Sequence, residues 1–143
     1  MMDKKFTNGE PLKILLVEDN LAHAEMVIRS FEVNRIANEI THVSDGEMAL
    51  DYLHRRGDYS DGNKYPLPHL VLLDLRLPKI DGLEVLDDIK TSDDLKSIPV
   101  VILTTSGTDM DVAKAYKRHA NSYLVKPIDF DSFTLMMNEL GYY

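Results

Sequence analysis

The sequence predicts an α/β fold: five βα units in strict alternation, building a doubly wound parallel sheet with helices on both faces. Four short runs carry the prediction: Ile14-Leu15-Leu16-Val17, Leu70-Val71-Leu72-Leu73, Val100-Val101-Ile102-Leu103 and Tyr123-Leu124-Val125. They are apolar at successive rather than alternate residues, the mark of strands covered on both faces. Between them, apolar residues recur at helical spacing and polar turns divide the units. The ends of the runs add a third observation. The first leads into Glu18-Asp19, the second into Asp74, the third into Thr104 and the fourth into Lys126. In an open parallel sheet the ligand crevice lies beyond the carboxyl ends of the strands. These runs therefore deliver three acids, a hydroxyl and an amine to one rim.

Taken in order, residues 1–10 read as a flexible lead-in and 11–143 as one domain. The first strand covers 12–17. Asn20 suits a helix N-cap, and Leu21, Ala24, Ile28 and Phe31 form one apolar stripe that fades near Asn34. Residues 39–43 give a shorter second strand. Ser44-Asp45 with Glu47 opens a helix that turns Met48, Ala49, Tyr52 and Leu53 inward. His54-Arg55-Arg56 closes it with cations that complement the negative end of the helix dipole. Residues 57–68 form a turn-rich loop that suits either a partner contact or a tolerated insertion.

The central strand ends at Asp74. Pro78 and Asp81-Gly82 mark a turn, and Leu83, Leu86 and Ile89 carry the third helix. Pro99 introduces the fourth strand at a position that tolerates proline. A helix from about Asp109 packs through Val112, Ala113, Tyr116 and Ala120, again with a cationic end at Lys117-Arg118-His119. The fifth strand, 122–125, reaches Lys126-Pro127, and a last helix from about Asp129 presents Phe130, Phe133, Met137 and Leu140 to the core. This pattern alone leaves the strand order open.

The 143 residues suffice to bury a core without staples, and 44% apolar with 28% charged content is ordinary for a globular protein. A formal charge of -8 argues against a nucleic-acid-binding surface. With no cysteine, disulfides and thiolate metal sites are excluded. No signal peptide and no membrane span is legible, and the expectation is a cytoplasmic protein.

Were Glu18, Asp19 and Asp74 to meet, their repulsion would raise a pKa or demand a cation among them. Oxygen ligands without clustered histidine select a hard ion, Mg²⁺ or alternatively Mn²⁺. Lys126 and Thr104 are the groups that suit a phosphoryl group, one for its charge and the other for its oxygen. Beside a metal and a lysine, an aspartate becomes competent to form an aspartyl phosphate. An acid after a strand is, by itself, more often a cap or a turn residue; the joint placement at four strand ends outweighs that reading.

These residues resemble the receiver domains of two-component response regulators. The matching motifs are Leu16-Val17-Glu18-Asp19-Asn20, the stretch from Leu73 to Gly82, Leu103-Thr104-Thr105 and Tyr123-Leu124-Val125-Lys126-Pro127. The separations fit too: Thr104 lies 30 residues after Asp74, and Lys126 lies 22 after Thr104. The resemblance covers about residues 11–140. It implies a flavodoxin-like fold with strand order 2-1-3-4-5, an order given for a chemotaxis member of this family. It implies that Asp74 accepts a phosphoryl group from the phosphohistidine of a sensor histidine kinase. Asp19 and Asp74 would ligate Mg²⁺ directly, Glu18 through water, and Arg76 through its backbone carbonyl. Lys126 would bind the phosphoryl oxygen. Thr104 would turn towards the phosphate and Tyr123 would swing inward behind it, altering the face formed by the helix over 109–120, the fifth strand and the last helix. A phosphoryl group adds about -1.5 to -2 charge, enough to bias a two-state loop that supplies a hydroxyl.

Glu18 stands where aspartate is also common, which lengthens reach and keeps charge. The long 57–68 loop resembles stand-alone regulators that serve phytochrome-type kinases. Arg76, two residues after Asp74, is placed to gate water, so Arg76→Ala is expected to change the aspartyl-phosphate lifetime; an unchanged lifetime ends that idea. The chain stops at Tyr143 without a second domain in sight, so output is expected through a partner, through dimerisation across the face just named, or through onward phosphotransfer. A phosphohydrolase of the haloacid dehalogenase type wants a second aspartate where Arg76 stands. A flavodoxin-like binding module wants hydroxyls where Glu18-Asp19 would repel a phosphate. A scaffold-only receiver is disfavoured because every chemical position is filled.

Overall fold

The computed structural model describes residues 11–105 and 120–141. Along the chain it holds β1 (Leu12–Val17), α1 (Leu21–Val33), β2 (Asn38–Val43), α2 (Gly46–Leu53), a 3-10 turn (Gly57–Tyr59), β3 (Leu70–Asp74), α3 (Gly82–Thr91), β4 (Val100–Thr104), β5 (Ser122–Val125) and a C-terminal helix (Phe130–Leu140). All five strands are parallel, in the order β2-β1-β3-β4-β5. The lead-in over 1–10 and, but for Ala120, the helix expected over 109–120 with its cationic stretch Lys117-Arg118-His119 lie outside the described residues; Ala120 is half-buried against the core.

The continuous apolar strands serve two cores. Leu15, Val17, Val71, Leu73, Val100 and Ile102 pack on one face with Val85, Leu86 and Ile89 of α3 and with Ala49 and Leu53 of α2. The neighbouring residues Ile14, Leu16, Leu70, Leu72, Val101 and Leu103 pack on the other with Val27 and Phe31 of α1 and Phe133 and Met137 of the C-terminal helix. Phe31 and Phe133 meet edge to face, their centroids 4.8 Å apart, and so join the two helices of that layer. β3 and β4 are buried at every residue, while β2 at the sheet edge is mostly half-buried.

Side-chain caps start the helices where expected. Asn20, Asp45, Asp81 and Asp129 each accept a backbone N–H from the first turn of the helix that follows. Two stripe residues are corrected. Leu21 and Phe130 are 69% and 62% exposed, and Val27 and Met136 take the buried places instead. Each misplaced residue is the first of its helix, where the turn overhangs the carboxyl rim and has no strand beneath it. Residues closing α2 also find side-chain partners: His54 Nε2 lies 2.6 Å from Asp88 on α3, and Arg56 pairs with Asp51 at 3.4 Å. The 57–68 loop is tied down: the Tyr65 ring meets Tyr52 and Tyr59 edge to face, Tyr59 lies tilted against Tyr52, and the Tyr52 hydroxyl donates to the Pro66 carbonyl at 3.0 Å.

Candidate functional site

Register builds the site. Val17 pairs with Leu73, so Glu18 and Asp74 emerge level at the ends of adjacent strands. Asp74 pairs with Leu103 and Thr104 with Val125, which places Thr104 and Lys126 one step further along the same rim. The Lys126 backbone N–H closes the ladder on the Thr104 carbonyl at 2.8 Å. Two turns crowd in beside Asp74. Gly82 N–H donates to the Leu75 carbonyl at 3.0 Å, and a Cβ on Gly82 would collide with the Asp74 carbonyl oxygen. Gly46 is equally tight against the Ile80 carbonyl, so the loop after β3 is seated on the start of α2. Lys79 in that loop has φ 68, the left-handed region, and its ammonium lies 3.6 Å from both Asp45 and Glu47.

The charges are mostly buried. Glu18 is 0% exposed, Asp74 7%, Thr104 2% and Lys126 6%, whereas Asp19 stands in solvent. Glu18, Asp19 and Asp74 each offer an oxygen within 4.8 Å of the other two. The Lys126 ammonium donates to Glu18 Oε1 at 2.6 Å and reaches Asp74 Oδ2 at 3.5 Å. Asp74 Oδ1 accepts the Arg76 backbone N–H at 3.2 Å, and Glu18 Oε2 accepts the Asn20 N–H at 3.2 Å. One lysine does not neutralise three carboxylates. Burial and the neighbouring Glu18 push the Asp74 carboxyl up to about 6, against the opposing pull of Lys126 and the Arg76 amide. Unrelieved negative charge on oxygen-only donors fits a hard divalent cation and nothing softer.

The expected residues Glu18, Asp19, Asp74 and Lys126 thus converge, with Thr104 buried at the same rim. Arg76 contributes its amide to Asp74 while its side chain is exposed. Tyr123 on β5 is 39% exposed, turned out from the sheet. One contributor was not foreseen: His23, whose Nδ1 is 3.0 Å from the Lys126 ammonium. It sits in the first turn of α1, with its backbone N–H on the Asn20 cap at 3.1 Å. A partner 103 residues away leaves no local signal in the sequence.

A parallel five-stranded sheet thus carries an acidic pocket, a hydroxyl and a buried lysine at its carboxyl rim. The chain belongs to the response regulator receiver domain family, whose model matches residues 14–138. It is 48% identical over 134 residues to the probable methanogenesis regulatory protein FilR2 of Methanothrix harundinacea, covering 94% of this chain and 84% of that one. It is 46% identical to the response regulator Rcp1 of Synechocystis, covering 83% and 79%. Among solved structures, the bacteriophytochrome response regulator AtBRR superposes with a TM-score of 0.83 at 43% identity, covering 94% of this chain and 95% of that one. The Mn²⁺-bound form of Rcp1 gives 0.76 at 43% identity, covering 90% and 91%. The phosphorylated cyanobacterial phytochrome response regulator RcpA gives 0.75 at 38%, covering 92% and 90%. Among the described residues no helix is long and apolar enough to cross a membrane.

Proposed function

We propose that residues 11–143 form one receiver domain, preceded by a lead-in over 1–10, and that Asp74 is its phosphoacceptor. The observation that carries this reading is the position of Asp74 at the end of the central strand, 3.5 Å from the Lys126 ammonium and within 4.8 Å of the Glu18 and Asp19 oxygens. A carboxylate oxygen of Asp74 forms the O–P bond as the N–P bond of a kinase phosphohistidine breaks, and the imidazole leaves. Lys126 binds a phosphoryl oxygen, and its charge offsets part of what the group brings.

Asp19 and Asp74 would hold Mg²⁺ directly, Glu18 through water and Arg76 through its backbone carbonyl; Mn²⁺, seen in the Rcp1 structure, fits the same oxygens. When bound, the ion offsets the carboxylate charge and that of the incoming phosphoryl oxygens. Thr104 turns its hydroxyl towards the phosphoryl group, Tyr123 moves inward from its exposed position, and the face around β5 and the C-terminal helix changes for a partner or a second copy. The protein catalyses only its own phosphorylation and slow dephosphorylation. The proposed donor is a sensor histidine kinase and the proposed compartment the cytoplasm; AtBRR and RcpA, named as bacteriophytochrome and phytochrome response regulators, support a kinase of the phytochrome kind. Nucleic acid and membrane are not among its proposed partners, in keeping with the -8 charge.

The test is intact mass after incubation with acetyl phosphate. We expect a single phosphoryl adduct that requires Mg²⁺ and is absent from Asp74→Asn. An adduct retained by Asp74→Asn would move the acceptor elsewhere. No adduct from acetyl phosphate or from a purified histidine kinase would leave a scaffold role.

A further inference from the structure

The Lys126 ammonium has three N–H bonds and three acceptors around it: Glu18 Oε1 at 2.6 Å, His23 Nδ1 at 3.0 Å and Asp74 Oδ2 at 3.5 Å. An ammonium only donates, so His23 meets it with the Nδ1 lone pair and carries its own proton on Nε2. Two of these acceptors are themselves held. Glu18 Oε2 receives the Asn20 N–H at 3.2 Å, and the Asn20 side chain receives the His23 N–H at 3.1 Å. The contacts close a ring: Glu18 to Asn20, Asn20 to His23, His23 to Lys126, and Lys126 back to Glu18. Within it the cap that starts α1 also fixes where the histidine ring can reach.

We propose that His23 is a positioning residue for phosphoryl transfer at Asp74: with Glu18 it occupies two N–H bonds of Lys126 and so aims the third at the reacting carboxylate. The inference rests on the reading of Asp74 as phosphoacceptor. A free lysine head rotates about its last bond and wanders on a flexible stem, so an ammonium with one partner spends much of its time misdirected. Glu18 and His23 approach from the β1–α1 junction while Asp74 comes from β3, and the two fixed contacts leave the remaining N–H facing the acceptor. A preorganised donor needs no rearrangement when charge develops on the phosphoryl oxygens, and that is where such placement accelerates a reaction. Glu18 alone fixes the rotation of the ammonium but leaves the flexible stem free to swing about that one contact, and His23 is the second anchor that holds the head in place.

The experiment is a time course of phosphorylation by acetyl phosphate at saturating Mg²⁺, followed by intact mass, for wild type, His23→Ala and His23→Asn. Asparagine carries an oxygen close to the place of Nδ1 and should restore the contact. We expect His23→Ala to slow phosphorylation by about 5- to 20-fold with the half-saturating Mg²⁺ concentration unchanged, and His23→Asn to recover to within about threefold of wild type. A rate for His23→Ala within about twofold of wild type, or a His23→Asn variant as slow as alanine, overturns the proposal. A second measurement does not depend on phosphorylation. In ¹⁵N-labelled protein, the Lys126 side-chain protons should exchange slowly enough to give a resolved ammonium signal, lost in His23→Ala and kept in His23→Asn. If wild type and His23→Ala give the same ammonium signal, the positioning role is wrong even where Asp74 is phosphorylated. If the signal behaves as expected but wild type takes no phosphoryl group from acetyl phosphate or from a purified histidine kinase, Lys126 is held as described and the phosphoacceptor reading fails, taking the catalytic consequence with it.

Discussion

Lys126 is a buried cation whose nearest acid, Glu18, has no access to solvent at all. Removing one member of such a pair strands the other, at a cost of about 3–5 kcal/mol. Lys126→Met is therefore expected to lower the melting temperature by roughly 10 °C for a domain of this size, and to abolish stable phosphorylation. Differential scanning calorimetry with the mass assay checks both. Asp74 behaves in the opposite sense. Its carboxyl is held up at about 6 in the fold, above the ordinary 3.8, so the folded state binds a proton more readily than the unfolded chain. The stability carried by the neutral carboxyl is complete below the unfolded value and is lost as pH rises through about 6. Asp74→Asn, neutral at every pH, should thus melt higher than wild type at pH about 7.5 and lose that advantage near pH about 4. Melts of both proteins across this range decide it; a constant gap would show that the carboxyl is not strained by its neighbours.

At the scale of elements, the loop between β3 and α3 is where packing leaves least room. Gly82 backs onto the Asp74 carbonyl and Gly46 onto the Ile80 carbonyl, both backbone atoms that cannot step aside. Gly82→Ala should cost about 2 kcal/mol or more, read as a lower urea midpoint, and should slow phosphorylation because it displaces the strand end that carries Asp74. The His54–Asp88 link between α2 and α3 makes a contrast. Both side chains are about one third exposed, at 31% and 36%, so His54→Ala should shift stability by less than about 1 kcal/mol.

For the molecule as a whole, three acids around one lysine make the fold a ligand-linked equilibrium. A cation that binds only the folded state at ten times its dissociation constant adds about 1.4 kcal/mol. Mg²⁺ should raise the melting temperature at pH about 7.5, do so less at pH about 5 where Asp74 takes a proton, and have little effect on Asp74→Asn. A thermal shift equal in all three conditions would place the ion elsewhere on this acidic surface.

The strands and their chemical ends are fixed by the sequence itself. A run apolar at every residue can rest only between two layers, and the first polar residue after it must emerge at the rim. That is why the Glu18-Asp19, Asp74, Thr104 and Lys126 group was legible from strand runs alone, and why the starts of α1 and α2 followed from Asn20 and Asp45. Helix faces were less legible: a stripe at helical spacing does not say where the sheet ends, so Leu21 and Phe130 were turned inward by pattern and outward by the rim they overhang. The strand register, which of the three carboxyls is raised, and the His23–Lys126 contact were decided by tertiary structure only. Each depends on atoms that are distant along the chain and become neighbours once β1, β3 and β5 are laid in order; sequence spacing records which groups reach the rim, and only the folded sheet sets the few ångströms between them.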